Sequence, residues 1–379
     1  MVEWKQMWEV TTWDKKFSGV DKLMQPTVLK YHYYLANELA ELERPNGNIR
    51  ILYTTDKKAF VDSDDVEGNI AEGEVVTIPW GGNVNIQYYK GRFVTADNRI
   101  ATSNNVDYLC NKYLYYWMLS QKEEIGKFYR GAGIKHPSML SVLTMLVPIP
   151  GISEQQRIVG ILDTFTTSID NLKQQIAQRR KQYEYYRDQL LDLEGKEGVE
   201  KRVLKEVCEV INGRAYSQPE LLDKGKYRVL RVGNFFSNDS WYYSDLELED
   251  KYYCNKGDLL YAWSASFGPH IWEEEKVIYH YHIWKMNCKE ALDTKYMYYW
   301  LQSEDMKKQA FSNLHGATMA HLTKVLMESL KVPVPSLSEQ QRIVDILDTF
   351  EASIQNLEAQ LSQREKQYEY YRNKLLTFE

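Results

Sequence analysis

The chain has 379 residues, 44% of them hydrophobic and 26% charged, with a formal net charge of −6. That size leaves room for two domains plus connecting helices, and that balance describes a globular chain rather than a disordered one. No apolar run approaches the roughly 20 residues of a membrane span, no charged-then-apolar leader opens the chain, and the negative charge gives no whole-chain argument for a polyanionic partner.

The chain opens on Val2-Glu-Trp-Lys5, then Met7, Glu9 and Val10. Short β-type runs follow at Ile49–Tyr53, Val75–Ile78 and Arg92–Thr95. Tyr113-Leu-Tyr-Tyr-Trp117 leads into a short helix, and Gly131-Ala132 and His136 precede Pro148 and Pro150, which stop that segment. Ser153 and Gln156 then stand at capping-box spacing. Apolar residues follow in unbroken 4-3 steps: Ile158, Leu162, Phe165, Ile169, Leu172, Ile176, and after Arg179 also Tyr183, Tyr186 and Leu190. No Gly or Pro falls between Ile161 and Leu193. A helix from Glu154 to Glu194 would be about 60 Å long.

From Val199 the plan starts again. Val199, Glu200, Lys201, Arg202, Leu204, Glu206 and Val207 match the opening residues. β-Type runs lie at Arg228–Val232 and Val277–Ile283, and Tyr296-Met-Tyr-Tyr-Trp300 answers Tyr113–Trp117. Gly316-Ala317 and His321 then lead to the second helix, with Ser338 and Gln341 at its entry and Ile343, Leu347, Phe350, Ile354, Leu357, Leu361, Arg364, Tyr368, Tyr371 and Leu375 along its stripe. From Pro148 to Glu194, 31 of 47 positions are identical to those 185 residues later. In the diverging middles only fragments pair, such as Gly73–Trp80 with Gly257–Trp263.

More than four heptads of one stripe predict a coiled-coil seam, and two like helices in one chain predict that they pair with each other. A parallel, in-register pair would set Arg179 against Arg364, two buried like charges; an antiparallel pair separates them and is pseudo-two-fold. The variable regions then sit at opposite ends of a rod, which acts as a ruler. The fold class expected is α+β, with boundaries at 1–147 (first variable domain), 148–194 (first helix), 195–202 (linker), 203–332 (second variable domain) and 333–379 (second helix).

The VP-x-P-x₂-SEQQRIV entry, the QYEYYR exit and the order of parts resemble the specificity subunit of Type I restriction–modification systems. The resemblance covers essentially the whole chain; inside the variable regions it rests on their ends alone. It implies two target recognition domains, each reading one half of a bipartite site in double-stranded DNA, and an antiparallel coiled coil that sets the gap. It implies two methyltransferase subunits and two restriction/translocation subunits as partners, and a subunit that directs adenine methylation while catalysing nothing itself. No membrane partner is expected, and the location expected is the cytoplasm. Charge agrees less well: residues 1–147 hold 17 Lys+Arg against 18 Asp+Glu, and residues 203–332 hold 16 against 18. Phosphate contacts must therefore come from local patches or from the partners.

Polar, Gly-containing loops supply the candidate DNA contacts, because Arg, Asn and Gln read G and A in pairs of hydrogen bonds and a Gly-Ala-Thr turn before a helix can offer backbone N–H groups to a phosphate. In the first domain these are Trp80, Gly81, Asn83, Lys90, Arg92, Arg99, Lys135 and His136. In the second they are Arg228, Arg231, Asn234, Trp263, Ser264, Ser266, Thr318 and His321. Tyr185, Tyr370, Leu191 and Leu376 fall off the helical seam and are the candidate partner-binding face. No catalytic residue, cofactor or metal is expected. His280 and His282 alternate on an expected strand with no third ligand, Glu194-Gly-Lys196 lies where a helix ends rather than in a nuclease hairpin, and neither a phosphate-binding GxxxxGK[ST] loop nor an Asn-Pro-Pro-aromatic motif occurs. The four cysteines form no CxxC pair and are expected reduced. A second reading stays open: a scaffold whose two α+β domains join protein partners rather than DNA.

Overall fold

The computed structural model describes residues 2–236, 238–264, 266–311 and 322–378. The chain forms two compact units, one of residues 1–171 with 360–379 and the other of residues 172–359. The first long helix, Ile152–Leu191, begins in the first unit and ends in the second; the second, Leu337–Leu376, does the reverse.

Each unit is closed by a clasp between its first and last strands. Glu3–Gln6 pairs antiparallel with Leu146–Ile149, and Glu200–Val203 with Lys331–Val334. The end of the expected linker is therefore a strand of the second unit. The prolines fit because they lie on short two-stranded ribbons, where a missing N–H can face away from the partner. One helical turn follows each clasp, Met7–Val10 and Leu204–Val207, with Met7 and Leu204 fully buried.

The repeated aromatic motifs fasten each unit to the start of its long helix. Tyr113 donates its hydroxyl to Pro148 O and Tyr296 to Pro333 O, both at 2.9 Å. Tyr116 and Lys112 donate to Asp163, and Tyr299 and Lys295 to Asp348. The first glutamine of each E-Q-Q-R, Gln155 or Gln340, is fully buried. Gln155 accepts from Cys110 N and donates to Tyr108 O and Pro150 O; Gln340 accepts from Asp293 N and donates to Ala291 O and Pro335 O. A buried amide with its hydrogen bonds met fixes the angle at which the helix leaves. The expected caps lie too far along. Both helices start before Ser153 and Ser338, and it is Ser336 Oγ that accepts from Glu339 N at the second start.

The heptad stripe does two jobs. Its first turns are domain core: Ile158 and Leu162 pack with Leu376 in the first unit, and Ile343 and Leu347 with Leu191 in the second. Further along, the two helices meet antiparallel within each unit. Phe165 stacks on Tyr371 with centroids 5.3 Å apart and lies under Arg364, while Phe350 stacks on Tyr186 at 5.4 Å and lies under Arg179. Each interrupting arginine thus finds an aromatic face instead of the other arginine.

The middles that diverge in sequence share a strand plan. In the first unit a six-stranded sheet runs in the order Thr11–Trp13, Asn98–Ser103, Ala71–Pro79, Gln87–Thr95, Ile49–Leu52, Lys58–Val61. Only Ile49–Leu52 runs parallel to its neighbour Gln87–Thr95. In the second unit the corresponding long strand is broken, so there are two four-stranded sheets. One is Cys208–Asn212, Ile283–Cys288, Leu259–Ser264, Ser266–Ile271, and the other is Tyr242–Ser244, Tyr227–Leu230, Val277–Tyr279, Tyr253–Cys254. The break falls at Trp272-Glu-Glu-Glu-Lys276, where successive like charges suit a strand poorly. The expected single run Val277–Ile283 is likewise two strands in different sheets, and the turn at 281–282 carries the chain across.

Candidate nucleic-acid interface

Strand pairing makes two tryptophans equivalent. Trp80 follows the strand Ala71–Pro79 and donates its N–H to Asp97 O at 2.9 Å, the residue just before the neighbouring strand. Near the end of Leu259–Ser264, Trp263 donates its N–H to His282 O at 3.2 Å, again the residue just before the neighbouring strand. The second residue of that neighbour packs on the indole in both units. Arg99 lies 5.0 Å from the Trp80 ring, and Trp284 stacks on Trp263 at 5.5 Å.

Around Trp80 the first unit gathers cations and polar loops. Lys15 Nζ lies 5.6 Å from the indole, and the His136 ring is 5.2 Å away. His136 Nδ1 is 2.8 Å from Trp80 O, so this nitrogen carries the proton and donates. Gly82 N donates to Lys135 O at 2.9 Å and ties the Trp80–Asn83 loop to the 131–136 loop. Gly82 has φ +95°, which favours glycine, and a Cβ on Gly81 would press on the exposed Ile134 side chain at 2.8 Å. Asn83, Lys135 and His136 are exposed. Lys15, Lys16 and Arg130, also exposed and on the same loops or their neighbours, were absent from the sequence-derived set. Arg130 could have been suspected from its place one residue before Gly131.

Three other expected contacts of this unit are not part of this exposed cluster. Arg99 is a correction: its side chain is fully buried, and it pairs with Asp14, also fully buried, at 2.9 Å and with Asp97. Asp14 further accepts from Ile100 N and the Tyr33 hydroxyl. Burial pushes the Arg99 guanidinium down and Asp14 opposes that shift; burial and then Asp14 raise Asp97. Arg99 supports the Trp80 ring from within and meets no solvent. Lys90 pairs with Glu74 at 3.3 Å, and both Lys90 and Arg92 lie opposite Glu74 and Glu72, six and eight residues down the strand from Trp80. At about 3.3 Å per residue, that is roughly 20 Å or more from the cluster.

In the second unit Trp263 Nε1 donates to Tyr281 O at 3.0 Å, and the rings of His280, Tyr281 and His282 crowd beside it. Tyr216 stacks on His280 with centroids 6.4 Å apart. Burial, then His282 and Arg231, lower His280 to about 4, so it is neutral at pH 7. Arg231 is exposed and lies over the Tyr242 ring. Ser264 ends the strand beside Trp263 and pairs in register with Ser266. Arg228 is held by Glu274 at 2.7 Å and by the Trp241 ring, away from the cluster. Asn234 spends its amide locally, accepting from Arg231 N and donating to Asn238 O and Ser240 O. Thr318 and His321 lie outside the described residues.

On the long helices, Tyr185 is 61% exposed and Tyr370 58%. Each meets the next tyrosine edge-on, at 5.3 Å to Tyr186 and 5.2 Å to Tyr371, and that ring stacks on the seam phenylalanine. Leu191 and Leu376 are corrections: they are 2% and 4% exposed and complete the domain cores, because each helix end dips into a unit. Among the described residues no helix is long and apolar enough to cross a membrane.

The family model for the Type I restriction modification DNA specificity domain matches residues 31–179 and again 196–365. A candidate type I restriction enzyme specificity subunit of Haemophilus influenzae is 29% identical over 339 residues, covering 83% of this chain and 86% of that one. The specificity subunit of the type I restriction enzyme EcoR124I/EcoR124II of Escherichia coli is 27% identical over 294 residues, 70% of each chain. In fold, the crystal structure of the type I system S subunit from M. genitalium matches with a TM-score of 0.63 at 17% identity, covering 100% of this chain and 97% of that one.

Proposed function

We propose that this chain, which belongs to the Type I restriction–modification DNA specificity family, is the non-catalytic subunit that reads DNA for its complex. Each unit would read one half of a bipartite site in double-stranded DNA. The paired helices would set the gap, with the variable domains at 1–147 and 203–332, the helices at 148–194 and 333–379, and 195–202 as the connection, its end built into the clasp strand Glu200–Val203. Two methyltransferase subunits, which modify an adenine in each half-site, would dock beside the helices, and two restriction/translocation subunits could join them. One observation carries this reading. The same Trp-tipped sheet occurs twice, held by the same backbone bonds, with different side chains around each indole: Lys15, Arg99 and His136 at one, Tyr281, His282 and Trp284 at the other. One frame with two surfaces suits two different ligands of one kind.

The net charge of −6 makes local cations decisive. Lys15, Lys16, Arg130 and Lys135 would supply phosphate contacts beside Trp80. The test is binding of duplex DNA by the complex with its methyltransferase across a salt series. The logarithm of affinity should fall linearly with the logarithm of salt, and Lys15→Ala with Lys135→Ala should flatten the slope by about one unit for each lost phosphate contact. Affinity for DNA that ignores salt, or no binding, would favour the protein scaffold instead. Methylation-sensitive sequencing of a host carrying the complex would give both half-sites and the gap.

A further inference from the structure

In the second unit, Cys208 on the strand Cys208–Asn212 and Cys288 on Ile283–Cys288 are direct cross-strand partners. Residues directly opposite in an antiparallel pair point to the same face. Lys289 N donates to Val207 O at 2.8 Å, the bond that flanks a pair lacking hydrogen bonds of its own. In such pairs the Cα atoms are about 4.5 Å apart and the side chains closest, inside the roughly 4.4–6.8 Å that a disulfide spans. Cys208 is buried and Cys288 half-buried, both are free thiols, and the Cys208 thiol donates to Glu209 O at 3.7 Å. The neighbouring Cys288, then burial, raises the Cys208 thiol, which stays protonated.

The first unit supplies an internal comparison. Thr11 follows the helical turn Met7–Val10 as Cys208 follows Leu204–Val207. Its cross-strand partner is Ser103, and the flanking bond Asn104 N to Val10 O recurs at 2.9 Å. The geometry is the same in both units, and only the second places two sulfurs in it.

We propose that Cys208 and Cys288 form a reversible thiol–disulfide modification site, closed by peroxide-class oxidants and opened by dithiol reductants. Cys288, the more accessible sulfur, reacts first. Its thiol gives its proton to solvent, the thiolate takes one peroxide oxygen with its hydrogen, the O–O bond breaks, and the departing hydroxide recovers a proton as water, giving a sulfenic acid. The Cys208 sulfur then attacks Cys288 Sγ. The S–S bond forms, the S–O bond breaks, and the hydroxyl leaves as water with the Cys208 proton. Two electrons pass from the thiol pair to the peroxide. The closed bond fixes the register of these two strands and acts on the second unit alone.

The full chain is treated with hydrogen peroxide, alkylated and mapped by peptide mass spectrometry. A linked Cys208–Cys288 peptide is expected, lost on treatment with dithiothreitol, with Cys254 still alkylatable. In Cys208→Ser the sulfenic acid on Cys288 should persist and be trapped by dimedone, whereas the parent chain should trap little. Cys288 that traps dimedone equally in both chains, or that is driven to sulfinic acid with no linked peptide, would overturn the proposal. So would both cysteines staying alkylatable while Cys110 is oxidised.

Discussion

Arg99→Met should damage the first unit by destabilising it, because Arg99 has no solvent-facing surface with which to read a base. Arg99 and Asp14 are both fully buried and 2.9 Å apart. With the guanidinium gone, the Asp14 carboxylate keeps, among the described residues, Ile100 N and the Tyr33 hydroxyl as hydrogen-bond partners. Breaking one side of a buried ion pair costs about 3–5 kcal/mol. For a unit of this size each kcal/mol moves the melting temperature by about 2–4 °C, so the transition of the first unit should fall by roughly 6–20 °C. Asp14→Asn added to Arg99→Met should recover much of that loss, since an amide in place of the carboxylate brings no uncompensated charge and can still hydrogen-bond. Calorimetry of the single and double variants, with hydrogen exchange to assign the transition to the first unit, measures both effects. Recognition of the first half-site should weaken with it, because the ring of Trp80 rests on Arg99. A single variant within about 0.5 kcal/mol of the parent that still loses the first half-site would refute the argument and make Arg99 a reader.

Inserting one heptad at the same place in both helices adds about 10.5 Å, about three base-pair steps, and should lengthen the gap in the methylated motif while both half-sites persist; an unchanged gap would remove the ruler. Tyr185→Ala with Tyr370→Ala should shift melting by no more than about 0.5 kcal/mol and yet reduce co-purification with the methyltransferase, because both rings are exposed; normal assembly with a lower melting temperature would put these rings in the wrong role. His280 lies near 4 in the fold, below the unfolded value of about 6.5. Its contribution is therefore present in full above pH 6.5 and lost as pH falls toward 4, so His280→Gln should flatten the acid-side stability profile of the second unit. Replacing residues 203–332 by the matching region of another such subunit should change one half-site only, as read by methylation sequencing.

The long helices were legible because a 4-3 stripe is local: each residue predicts its neighbour three or four positions on. Their starts were less so. Ser153 and Ser338 carry the capping signature, but the chain turns helical earlier, and the residues that fix the entry are the buried Gln155 and Gln340, whose partners Cys110 and Asp293 lie 45 and 47 positions away. Leu191 and Leu376 looked free because a helical wheel knows only the seam, not the domain that a helix end enters. Arg99 looked like a loop cation because Ala96-Asp-Asn-Arg99 is a polar stretch, while its partner Asp14 sits 85 positions back. Trp80 and Trp263 were legible, since the fragments ending on them could be paired. That Arg99 and Trp284 occupy one position beneath them is visible only through strand register.

The two halves are not alike to the same degree throughout, and the reason is physical. Where the units join the helices, the fold depends on side chains: Tyr113 and Tyr296 on proline carbonyls, Tyr116 and Tyr299 on Asp163 and Asp348, the two glutamines on main-chain groups. Changing either glutamine leaves buried main-chain groups unpaired, at about 1–3 kcal/mol each, and changing a tyrosine removes one of the hydrogen bonds that hold the helix start. In the sheets the same frame is held by main-chain bonds, such as Trp80 N to Asp97 O and Trp263 N to His282 O, which ask little of the side chains. Residues there can change without loss of the fold, provided that one face stays apolar. If the units read DNA as proposed, a surface that varies on a fixed frame could acquire new half-sites while the helices, with the exposed Tyr185 and Tyr370, stay the same. The break at residues 272–276 marks how far the two units differ: one has a single six-stranded sheet and the other two four-stranded sheets, yet Trp80 and Trp263 make the same main-chain bond.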